Sequence, residues 1–380
     1  MGPVLRISGR GALIITLKGL TAAHADILSK SFARSPEIGA GTNAAPISFS
    51  PREQAIDGGP TIILTGAPGQ FRRLALDPRI PPQLARMLDS LLDNYLRSDY
   101  KIDCGGKILD LGSRTHIMGI LNVTPDSFSD GGRYADPEKA LDHAREMVAA
   151  GADIIDIGGE STRPGAAPLA EEEELRRIIP LIERLRAELP VPISVDTYKS
   201  SVAKKALVAG AGIVNDISGL RFSPDMATVV ADAGAAVVIM HIKGTPRNMQ
   251  QDPVYNDLVS EVMAYLAEGI ELAVKAGVDR EKILIDPGIG FGKTLEHNLL
   301  LLDRLDEFKG LGRPVLLGTS RKKFIGTVLD VPVPEQRVDG TAATVALGIE
   351  RGARVVRVHD IARMAQVARM TDAVLRASTK

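Results

Sequence analysis

The sequence contains almost no cysteine. Cys104 is its single cysteine in 380 residues, so the chain forms no internal disulfide. Disulfides persist in oxidising compartments and are rare in the cytosol. We therefore expect a cytoplasmic protein, and we interpret Cys104 as a loop thiol just ahead of the main domain, not as a catalytic residue.

The sequence also lacks long apolar runs and a net charge. No run approaches the roughly 20 apolar residues that span a bilayer, and the first residues, MGPVLRISGRG, lack the apolar core of a signal peptide. Lys and Arg number 46 and Asp and Glu 47, a formal net charge of -1. This balance argues against nucleic acid or an anionic membrane as a partner, although a local basic cluster remains compatible with it. No Ser/His/Asp nucleophile signature and no zinc-ligand spacing is present.

Eight short runs rich in Val and Ile alternate with amphipathic segments beyond about residue 115. Each run is too short for a buried helix and is typical of a strand buried on both faces. The runs are HIMGILNV (116–123), DIIDIGG (153–159), PISVDT (192–197), GIVNDI (212–217), AAVVIMH (235–241), KILIDPG (282–288), PVLLGTS (314–320) and RVVRVHD (354–360). Eight strand–helix pairs predict an α/β fold, a (β/α)8 TIM barrel over residues 114–380; a doubly wound open sheet usually has fewer strands.

The intervening segments carry helix signals. In the first, Asp136 fits a cap, Pro137 the opening position and Gly151 the end. The acidic run 171–174 lies where the next helix begins, so the helix dipole explains it without a metal ion.

Residues 1–113 predict a small α/β extension. Strands are expected at 12–20 and 61–66, and helices at 21–35 and 80–98. Residues 38–60 are rich in Gly, Pro, Ser and Ala and predict a loop. No catalytic constellation is visible in this extension, and its role stays open.

Polar side chains recur at the carboxyl ends of the predicted strands. They are Asn122, Asp156, Asp196, Asn215, His241, Asp286, Ser320 and His359. Each has a structural explanation on its own, because Asn and Asp are common turn formers. Their recurrence at nearly every strand end predicts a functional mouth, since the eight loops of such a barrel converge at that edge.

Eight longer motifs coincide with these strand ends. They are MGILNVTPDSFSDGG (118–132), ESTRPGA (160–166), SVDTYK (194–199), VNDISG (214–219), IMHIKGTPRNMQ (239–250), IDPGIGFGKT (285–294), TSRKKFIG (319–326) and RVHD (357–360). In this order they resemble the motif series of dihydropteroate synthases over about residues 116–380, and the extension is similar to one in a subset of longer synthases. The resemblance implies a transferase of folate biosynthesis that condenses 6-hydroxymethyl-7,8-dihydropterin pyrophosphate with p-aminobenzoate, giving 7,8-dihydropteroate and pyrophosphate. Sulfonamides, which mimic p-aminobenzoate, are then expected to compete with it.

A pterin presents adjacent N–H donors, whose natural complement is a carboxylate. Asp196 and Asp286 are expected on opposite sides of the mouth, with Asn215 offering a donor and an acceptor. Asp196 alone would also fit a helix cap. The pterin contacts that the resemblance implies are Asp196, Asn215, Ile217, Met240, Asp286, Phe291 and Lys322.

Pyrophosphate needs cations and donors, which Arg163, Arg357 and His359 supply, and such barrels often seat phosphate near their final strands. The resemblance adds Asn122 at the pyrophosphate and as a Mg²⁺ ligand. It adds Asp130 as a second ligand, although Asp130 also fits a turn residue. So few protein ligands are normal for Mg²⁺. The p-aminobenzoate contacts implied by the resemblance are Thr162, Arg163, Pro164, Phe291 and Ser320.

The amine of p-aminobenzoate is a weak nucleophile, and no base dedicated to it is evident. A dissociative, cation-like transition state is therefore the hypothesis, with help given to the departing pyrophosphate. The residues expected to carry catalysis are Asp196, Arg163, Lys322 and His359.

Several alternatives stay open. GIGFGKT is similar to a phosphate loop, but Pro287 stands where that pattern needs Gly. His241 fits a structural histidine as well as a functional one. A methyltetrahydrofolate–corrinoid methyltransferase would share the fold and the Asp/Asn pterin pocket, but would not need Arg163 or Lys322. A catalytically silent pterin-binding paralogue is a second alternative. Homodimers through the later helices are usual in the family, so a homodimer is expected.

Overall fold

The computed structural model describes residues 4–8, 13–18, 21, 23–24, 26–28, 48–52, 61–123, 137–162 and 165–377. The chain divides into two compact units. One contains Met1–Arg97 and Asp306–Arg313, and the other Ser98–Leu305 and Pro314–Lys380. Within the described ranges, no helix combines the length and the apolar character needed to cross a membrane.

The first unit is built on a four-stranded antiparallel sheet with the order β1-β2-β4-β3. Its strands are β1 (Val4–Ser8), β2 (Leu13–Lys18), β3 (Ser48–Arg52) and β4 (Thr61–Gly66), and its helices are α1 (Pro68–Ala75) and α2 (Pro82–Leu96). One apolar cluster joins alternate residues of the strands, such as Ile15 and Leu64, to Phe71 of α1 and Leu88 of α2. The small α/β extension is thus confirmed as a folded sheet-and-helix unit.

The prediction of a loop over 38–60 was wrong in part, because β3 lies inside it. Ser48–Arg52 pairs with β4 along its whole length, from Ser48 opposite Thr65 to Arg52 opposite Thr61. Pro51 is tolerated because β3 is an edge strand, where one side of the backbone needs no partner in the sheet. Local composition gave no signal of this pairing, which depends on a strand nine residues further along the chain.

The second unit is a closed barrel of eight parallel strands, in the order β10-β11-β12-β13-β14-β7-β8-β9. The strands are β7 (His116–Asn122), β8 (Ile154–Gly158), β9 (Ile193–Asp196), β10 (Ile213–Asp216), β11 (Ala236–Met240), β12 (Ile283–Asp286), β13 (Val315–Leu317) and β14 (Ala353–Val358). All eight predicted strands are confirmed, and β14 pairs with β7 to close the cylinder. The barrel is a (β/α)8 TIM barrel.

Helices alternate with these strands. They are α3 (Pro137–Ala149), α4 (Glu171–Glu188), α5 (Ser200–Ala209), α6 (Met226–Asp232), α7 (Leu258–Lys275), α8 (Leu295–Asp303), α9 (Lys323–Leu329), α10 (Val338–Glu350) and α11 (Ile361–Ala377). Short 3-10 segments span Arg280–Lys282, Leu305–Leu311 and Pro334–Gln336. As predicted, α3 begins at Pro137 and Gly151 follows its end with a φ of 108°, whereas the expected cap Asp136 lies outside the described residues. The acidic run opens α4, where it complements the helix dipole.

A β-hairpin belongs to the barrel unit although it precedes the first barrel strand. Its strands are β5 (Lys101–Asp103) and β6 (Ile108–Asp110). Hairpin residues Ile102 and Leu111 join one apolar cluster with the inward residues near the amino ends of the barrel strands, such as Ile154 and Val355. The expected boundary at 113/114 therefore differs from the structure, in which the second unit starts at Ser98. Segment 306–313 also belongs to the first unit, where Tyr95 Oη donates to Asp306 Oδ2 (2.9 Å).

Cys104 lies in the turn of this hairpin and is 2% exposed. Burial raises the pKa of its thiol to about 12, so the thiolate is disfavoured at neutral pH. The expectation of an unreactive loop thiol agrees with this environment.

Candidate active site

Strand periodicity brings four polar side chains into one layer of the barrel interior. In the alternate strands β8, β10, β12 and β14, the residues Ile154, Ile213, Leu284 and Val355 belong to the apolar cluster that fills the amino end. Successive side chains of a strand alternate between faces, so the inward residues two positions further on form the next layer. They are Asp156, Asn215, Asp286 and Arg357, which we call the polar layer. The inward side chains of these strands are thus apolar at the amino end of the barrel and polar or charged toward the carboxyl ends of the strands.

Arg357 lies between two carboxylates. Its Nε donates to Asp156 Oδ2 (2.6 Å), and its Nη2 donates to Asp196 Oδ2 (2.6 Å). Asn215 Nδ2 donates to the same Asp156 oxygen (3.1 Å). Burial alone would lower the pKa of Arg357, but Asp156 and Asp196 raise it above its ordinary value, so the guanidinium stays charged. The two predicted pterin ligands Asp196 and Asn215 are therefore linked through Arg357 and Asp156.

Asp196 has an unsatisfied oxygen. Among the described residues, no hydrogen-bond partner reaches its buried Oδ1, while its Oδ2 is held by Arg357. Burial raises the pKa of Asp196 to about 7, and the nearby Arg357 cation offsets only part of that rise. A buried acceptor without a partner is costly, so this oxygen is suited to a ligand N–H donor.

Asp286 and Lys322 form the opposite side of the site. A methyl group placed at Gly318 would lie 4.0 Å from Asp286 Oδ2, 3.8 Å from Lys322 Nζ and 3.9 Å from Arg357 Cβ. Burial raises the pKa of Asp286, and Lys322 counteracts the rise. Burial lowers the pKa of Lys322 to about 8, with Asp286 acting against the shift. The five residues predicted to grip one small molecule, Asp196, Asn215, Asp286, Lys322 and Arg357, are thus brought together.

Asn122 lies at the end of β7, near Asp196. A methyl group at Gly158 would lie 3.4 Å from Asn122 Oδ1 and 3.7 Å from Asp196 Oδ2, so the missing side chain of Gly158 leaves space between them. Nothing in the described part of the chain supplies a group of three or more His, Cys, Asp or Glu residues that could hold a metal ion.

The loop carrying Phe291 is fixed through four successive carbonyl groups. Three accept from side chains distant in sequence, and one accepts from Lys293, which directly follows the loop. Lys322 Nζ donates to the oxygen of Ile289, Gln250 Nε2 to Gly290 (2.7 Å), Lys293 Nζ to Phe291 (2.9 Å) and Tyr255 Oη to Gly292 (2.7 Å). Lys322 Nζ also lies 4.9 Å from the centre of the Phe291 ring. The loop therefore needs no reordering to hold Phe291 beside Lys322.

Apolar side chains line this part of the site. Ile217 and Met240 belong to one buried cluster with Ile242 and Met249, and Phe291 packs against it. The three predicted apolar pterin contacts therefore share a single wall.

His241, left open by the sequence, is a buried residue paired with Lys293. Its Nδ1 lies 2.9 Å from Lys293 Nζ, and its ring packs edge-on against Tyr265, with 4.7 Å between ring centres. Burial lowers the pKa of both His241 and Lys293 well below their ordinary values, which favours their neutral forms. The pair supports the Phe291 loop, a structural role that spacing alone could not reveal.

Hydrogen bonds join the TSRK and RVHD motifs, Ser320 to His359 and Arg321 to Asp360. The backbone N–H of His359 donates to Ser320 Oγ (3.1 Å), and His359 Nδ1 lies 3.0 Å from the same oxygen. Arg321 Nη2 donates to Asp360 Oδ1 (2.6 Å). Ser320, predicted at p-aminobenzoate, and His359, predicted at pyrophosphate, are therefore direct neighbours.

A partly buried lysine fixes the base of the second loop, which carries Thr162. Lys199 Nζ bonds Glu160 Oε2 (2.5 Å), Glu174 Oε2 (2.7 Å) and the carbonyl of Leu169 (2.7 Å). These contacts join both ends of the loop to the start of α5. Arg163, Pro164 and Asp130, predicted in the first two loops, lie outside the described residues.

Comparison with known proteins matches this architecture. A family model described as pterin binding enzyme matches residues 118–359. The dihydropteroate synthase of Bacillus subtilis (strain 168) is 55% identical over 267 residues, which cover 70% of this chain and 91% of the relative. The chain belongs to the dihydropteroate synthase family. The Escherichia coli (strain K12) dihydropteroate synthase is 46% identical over 277 residues, covering 73% of this chain and 97% of that protein.

Solved dihydropteroate synthases show the same fold. The Xanthomonas albilineans enzyme with 4-aminobenzoic acid aligns with a TM-score of 0.69 at 47% identity, covering 73% of this chain and 98% of that one. The same enzyme in complex with 7,8-dihydropteroate gives a TM-score of 0.66 at 45% identity, covering 72% and 98%. The chain is thus a transferase of folate biosynthesis, and the comparisons do not favour a methyltransferase or a silent paralogue.

Two residues of the candidate site were missed by sequence reasoning. Asp156 was recognised at a strand end but given no role, and Lys293 was overlooked. A signal existed for Asp156, because an acid inside the apolar run DIIDIGG must find a partner when buried. Which partners it finds depends on strands 59 and 201 residues away.

Proposed function

We propose that this transferase joins 6-hydroxymethyl-7,8-dihydropterin pyrophosphate to p-aminobenzoate by a dissociative displacement at the carboxyl end of the barrel. The observation that carries the proposal is the buried Oδ1 of Asp196, which has no partner among the described residues and lies beside an oxygen already held by Arg357. A pterin N–H satisfies that oxygen, and Asn215, Asp286 and Lys322 offer further partners in the same interior.

The chemistry follows from the charges around the pterin. As the bond to pyrophosphate breaks, positive charge develops on the pterin and its hydroxymethyl carbon. Asp196, ionised and held by Arg357, stabilises that charge in a water-poor site. The amine of p-aminobenzoate then attacks the electron-poor carbon, forming the C–N bond, and afterwards loses its proton to solvent. Lys322, beside Asp286, bonds the acceptors of the pterin ring.

The departing pyrophosphate is received by cationic groups. Arg163 and His359 bind its oxygens. Arg357, whose guanidinium is engaged by Asp156 and Asp196, adds positive charge to the same interior. Lys322, His359, Arg163 and Asp196 are therefore the proposed catalytic residues. Thr162, Pro164, Phe291 and Ser320 receive p-aminobenzoate, with Ser320 directly beside His359.

Mg²⁺ is the proposed cofactor. Asn122 offers an amide oxygen next to the space left by Gly158, and Asp130 is the second proposed protein ligand. Two protein ligands are enough for Mg²⁺, a hard cation that takes most of its oxygens from phosphate and water. When bound, Mg²⁺ supplies charge neutralisation to the leaving group.

The enzyme is further proposed to be a cytoplasmic homodimer. Helices α8 to α11 each expose large apolar side chains, which a partner copy would cover. These are Leu299, Leu300, Val328, Leu329, Leu347, Met370 and Val374. A reducing compartment suits a chain whose single cysteine is a buried thiol.

The test is incubation of the purified protein with the pterin pyrophosphate, Mg²⁺ and p-aminobenzoate, with chromatographic detection of dihydropteroate and pyrophosphate. Asp196→Asn should lower kcat on the order of 100-fold, because charge stabilisation of the transition state is lost. It should change the affinity for inorganic pyrophosphate much less. Asp232→Asn makes the same chemical change on the exposed surface of α6 and should have no effect. Equal losses of turnover and pyrophosphate binding in Asp196→Asn would contradict the proposed role.

A further inference from the structure

Asp156 is the central member of the polar layer on its side of the barrel. Its strand β8 lies between β14 and β10 when alternate strands are followed around the cylinder. Its carboxylate is fully buried, and a single oxygen, Oδ2, accepts from both Arg357 Nε (2.6 Å) and Asn215 Nδ2 (3.1 Å). Among the described residues, these two neighbours supply all of its hydrogen bonds, and its buried Oδ1 has no partner.

The contact with Asp156 decides which end of the Asn215 amide is available to a ligand. An ionised carboxylate only accepts hydrogen bonds, so the Nδ2 group of Asn215 must face it and Oδ1 must face away. Within the described residues, no side-chain hydrogen bond uses that Oδ1. Asn215 is therefore reduced from a residue that offers both a donor and an acceptor to one that offers an acceptor.

The groups that these residues offer to a ligand are then mainly hydrogen-bond acceptors. Asp196 contributes its unpartnered Oδ1 and Asp286 contributes Oδ2, since Asp286 Oδ1 accepts from the Gly288 backbone (2.7 Å). A ring edge that carries N–H donors complements three acceptors, whereas a ring with an acceptor at one of these positions leaves two acceptors opposed. A site built to bond N–H groups rejects analogues that lack one of them.

We propose that Asp156 is a positioning residue that selects donor-bearing pterins, by fixing the amide of Asn215 with its oxygen outward while holding Arg357 beside Asp196. This inference rests on the proposed function in that Asn215 is taken to contact the pterin. It assigns Asp156 no contact with substrate.

The experiment compares the binding of three probes to the full chain by fluorescence titration or calorimetry. They are 6-hydroxymethyl-7,8-dihydropterin, its oxidised form, in which N8 becomes an acceptor, and 6-hydroxymethyllumazine, in which an oxo group replaces the 2-amino donor. In Asp156→Asn the Asn215 amide is free to turn and present Nδ2. We expect the ratio of the Kd of at least one of the other probes to the Kd of the dihydropterin to fall about 10-fold relative to the wild type. This is the size expected for one unpaired polar group.

Two further variants separate positioning from general damage. Ser194→Ala changes the equally buried residue that lies opposite Asp156 in β9, and it should leave all three affinities unchanged. In the exchange variant Asp156→Asn/Asn215→Asp, the amide at position 156 donates to the carboxylate at position 215. The carboxylate at position 215 then presents only acceptors to the ligand. It should recover the preference, although the carboxylate beside Arg357 is gone.

An equal loss for all three probes in Asp156→Asn, or no change in their ratios, would overturn the proposal. So would an exchange variant that binds the dihydropterin yet shows no recovered preference. If the wild-type protein forms dihydropteroate but the ratios stay constant, this inference fails while the proposed function stands. If the wild-type protein binds none of the pterins, the proposed function itself fails.

Discussion

At the residue scale, burial changes which protonation states the site favours. Asp196 and Lys322 lie in the same water-poor interior, and burial moves their pKa values toward each other, to about 7 and about 8. Burial raises the pKa of a carboxyl and lowers that of an ammonium, because both shifts disfavour charge. The state that the proposed mechanism requires, with Asp196 ionised and Lys322 protonated, is therefore expected in a narrow pH window in the free enzyme.

The first prediction is a bell-shaped pH dependence of kcat/KM for the pterin pyrophosphate, which reports the free enzyme. Asp196 is neutral below its pKa, so the rate should rise through about pH 7; Lys322 loses its charge above its own, so the rate should fall through about pH 8. Asp196→Asn should remove the acid limb, and Lys322→Arg should move the alkaline limb upward, since the pKa of Arg is far higher.

Ionisation of the substrate's own pyrophosphate serves as the internal control, since it contributes equally to the wild type and both variants. An acid limb that survives unchanged in Asp196→Asn would assign that limb to the substrate and contradict the role of Asp196. Initial rates at low substrate concentration over the pH range give the required profiles.

At the element scale, the β5–β6 hairpin is an integral part of the barrel. Its apolar residues pack on the inward side chains of the barrel strands at their amino ends, away from the polar layer. This packing is expected to stabilise the folded barrel, since the chemistry of such barrels lies at the opposite end. The hairpin is therefore expected to affect folding and not turnover.

Leu111→Ala tests this role. Leu111 is fully buried in the hairpin cluster, so the substitution should lower the free energy of unfolding by about 2–5 kcal/mol. The kcat of the folded variant should equal that of the wild type. Ile108→Ala is the matched control, because Ile108 lies in the same hairpin and is 71% exposed. Urea unfolding followed by circular dichroism measures both, and equal stability of the two variants would argue against the hairpin as part of the barrel core.

The loop over 288–292 shows how an element can be held without regular secondary structure. Four successive carbonyls accept from side chains: three of the donors are distant in sequence, and the fourth is the buried Lys293, which directly follows the loop. Three of its glycines have positive φ values, at Gly288, Gly290 and Gly292. At Gly288 a Cβ would lie 1.9 Å from the carbonyl oxygen of His241, so only glycine fits there.

At the scale of the whole molecule, the proposed dimer depends on the apolar side chains of the later helices. Met370 and Val374 of α11 are 66% and 58% exposed, although they lie one helical turn apart on a helix that packs on the barrel. Introducing charge at both positions, as Met370→Glu/Val374→Glu, should dissociate the dimer because a buried unpaired charge is costly.

Size-exclusion chromatography with light scattering measures this change. Ile108→Glu places the same charge at an equally exposed apolar residue elsewhere in the barrel unit, and it should stay dimeric. A wild-type protein that is monomeric at all accessible concentrations, or a double variant that remains dimeric, would contradict an interface at α11.

The sequence by itself determined the barrel and placed most of the proposed site residues at the ends of its strands. Buried parallel strands leave continuous apolar runs, and the eight runs gave all eight strands, while motifs at their carboxyl ends gave Asp196, Asn215, Asp286 and Lys322. Such signals survive in sequence because strand periodicity and turn chemistry are local. The extension was harder, because β3 is stabilised by pairing with β4 and not by its own composition.

Only the tertiary structure decided the hydrogen bonds and the charges inside the site. That Asp156 shares one oxygen between Arg357 and Asn215, that His241 pairs with Lys293, and that the hairpin closes the amino end all require residues far apart in sequence to meet. The shifted pKa values of Asp196 and Lys322 have the same origin, since desolvation depends on everything that surrounds a group. Sequence spacing fixes which groups reach the mouth, but their orientation and ionisation are properties of the packed barrel.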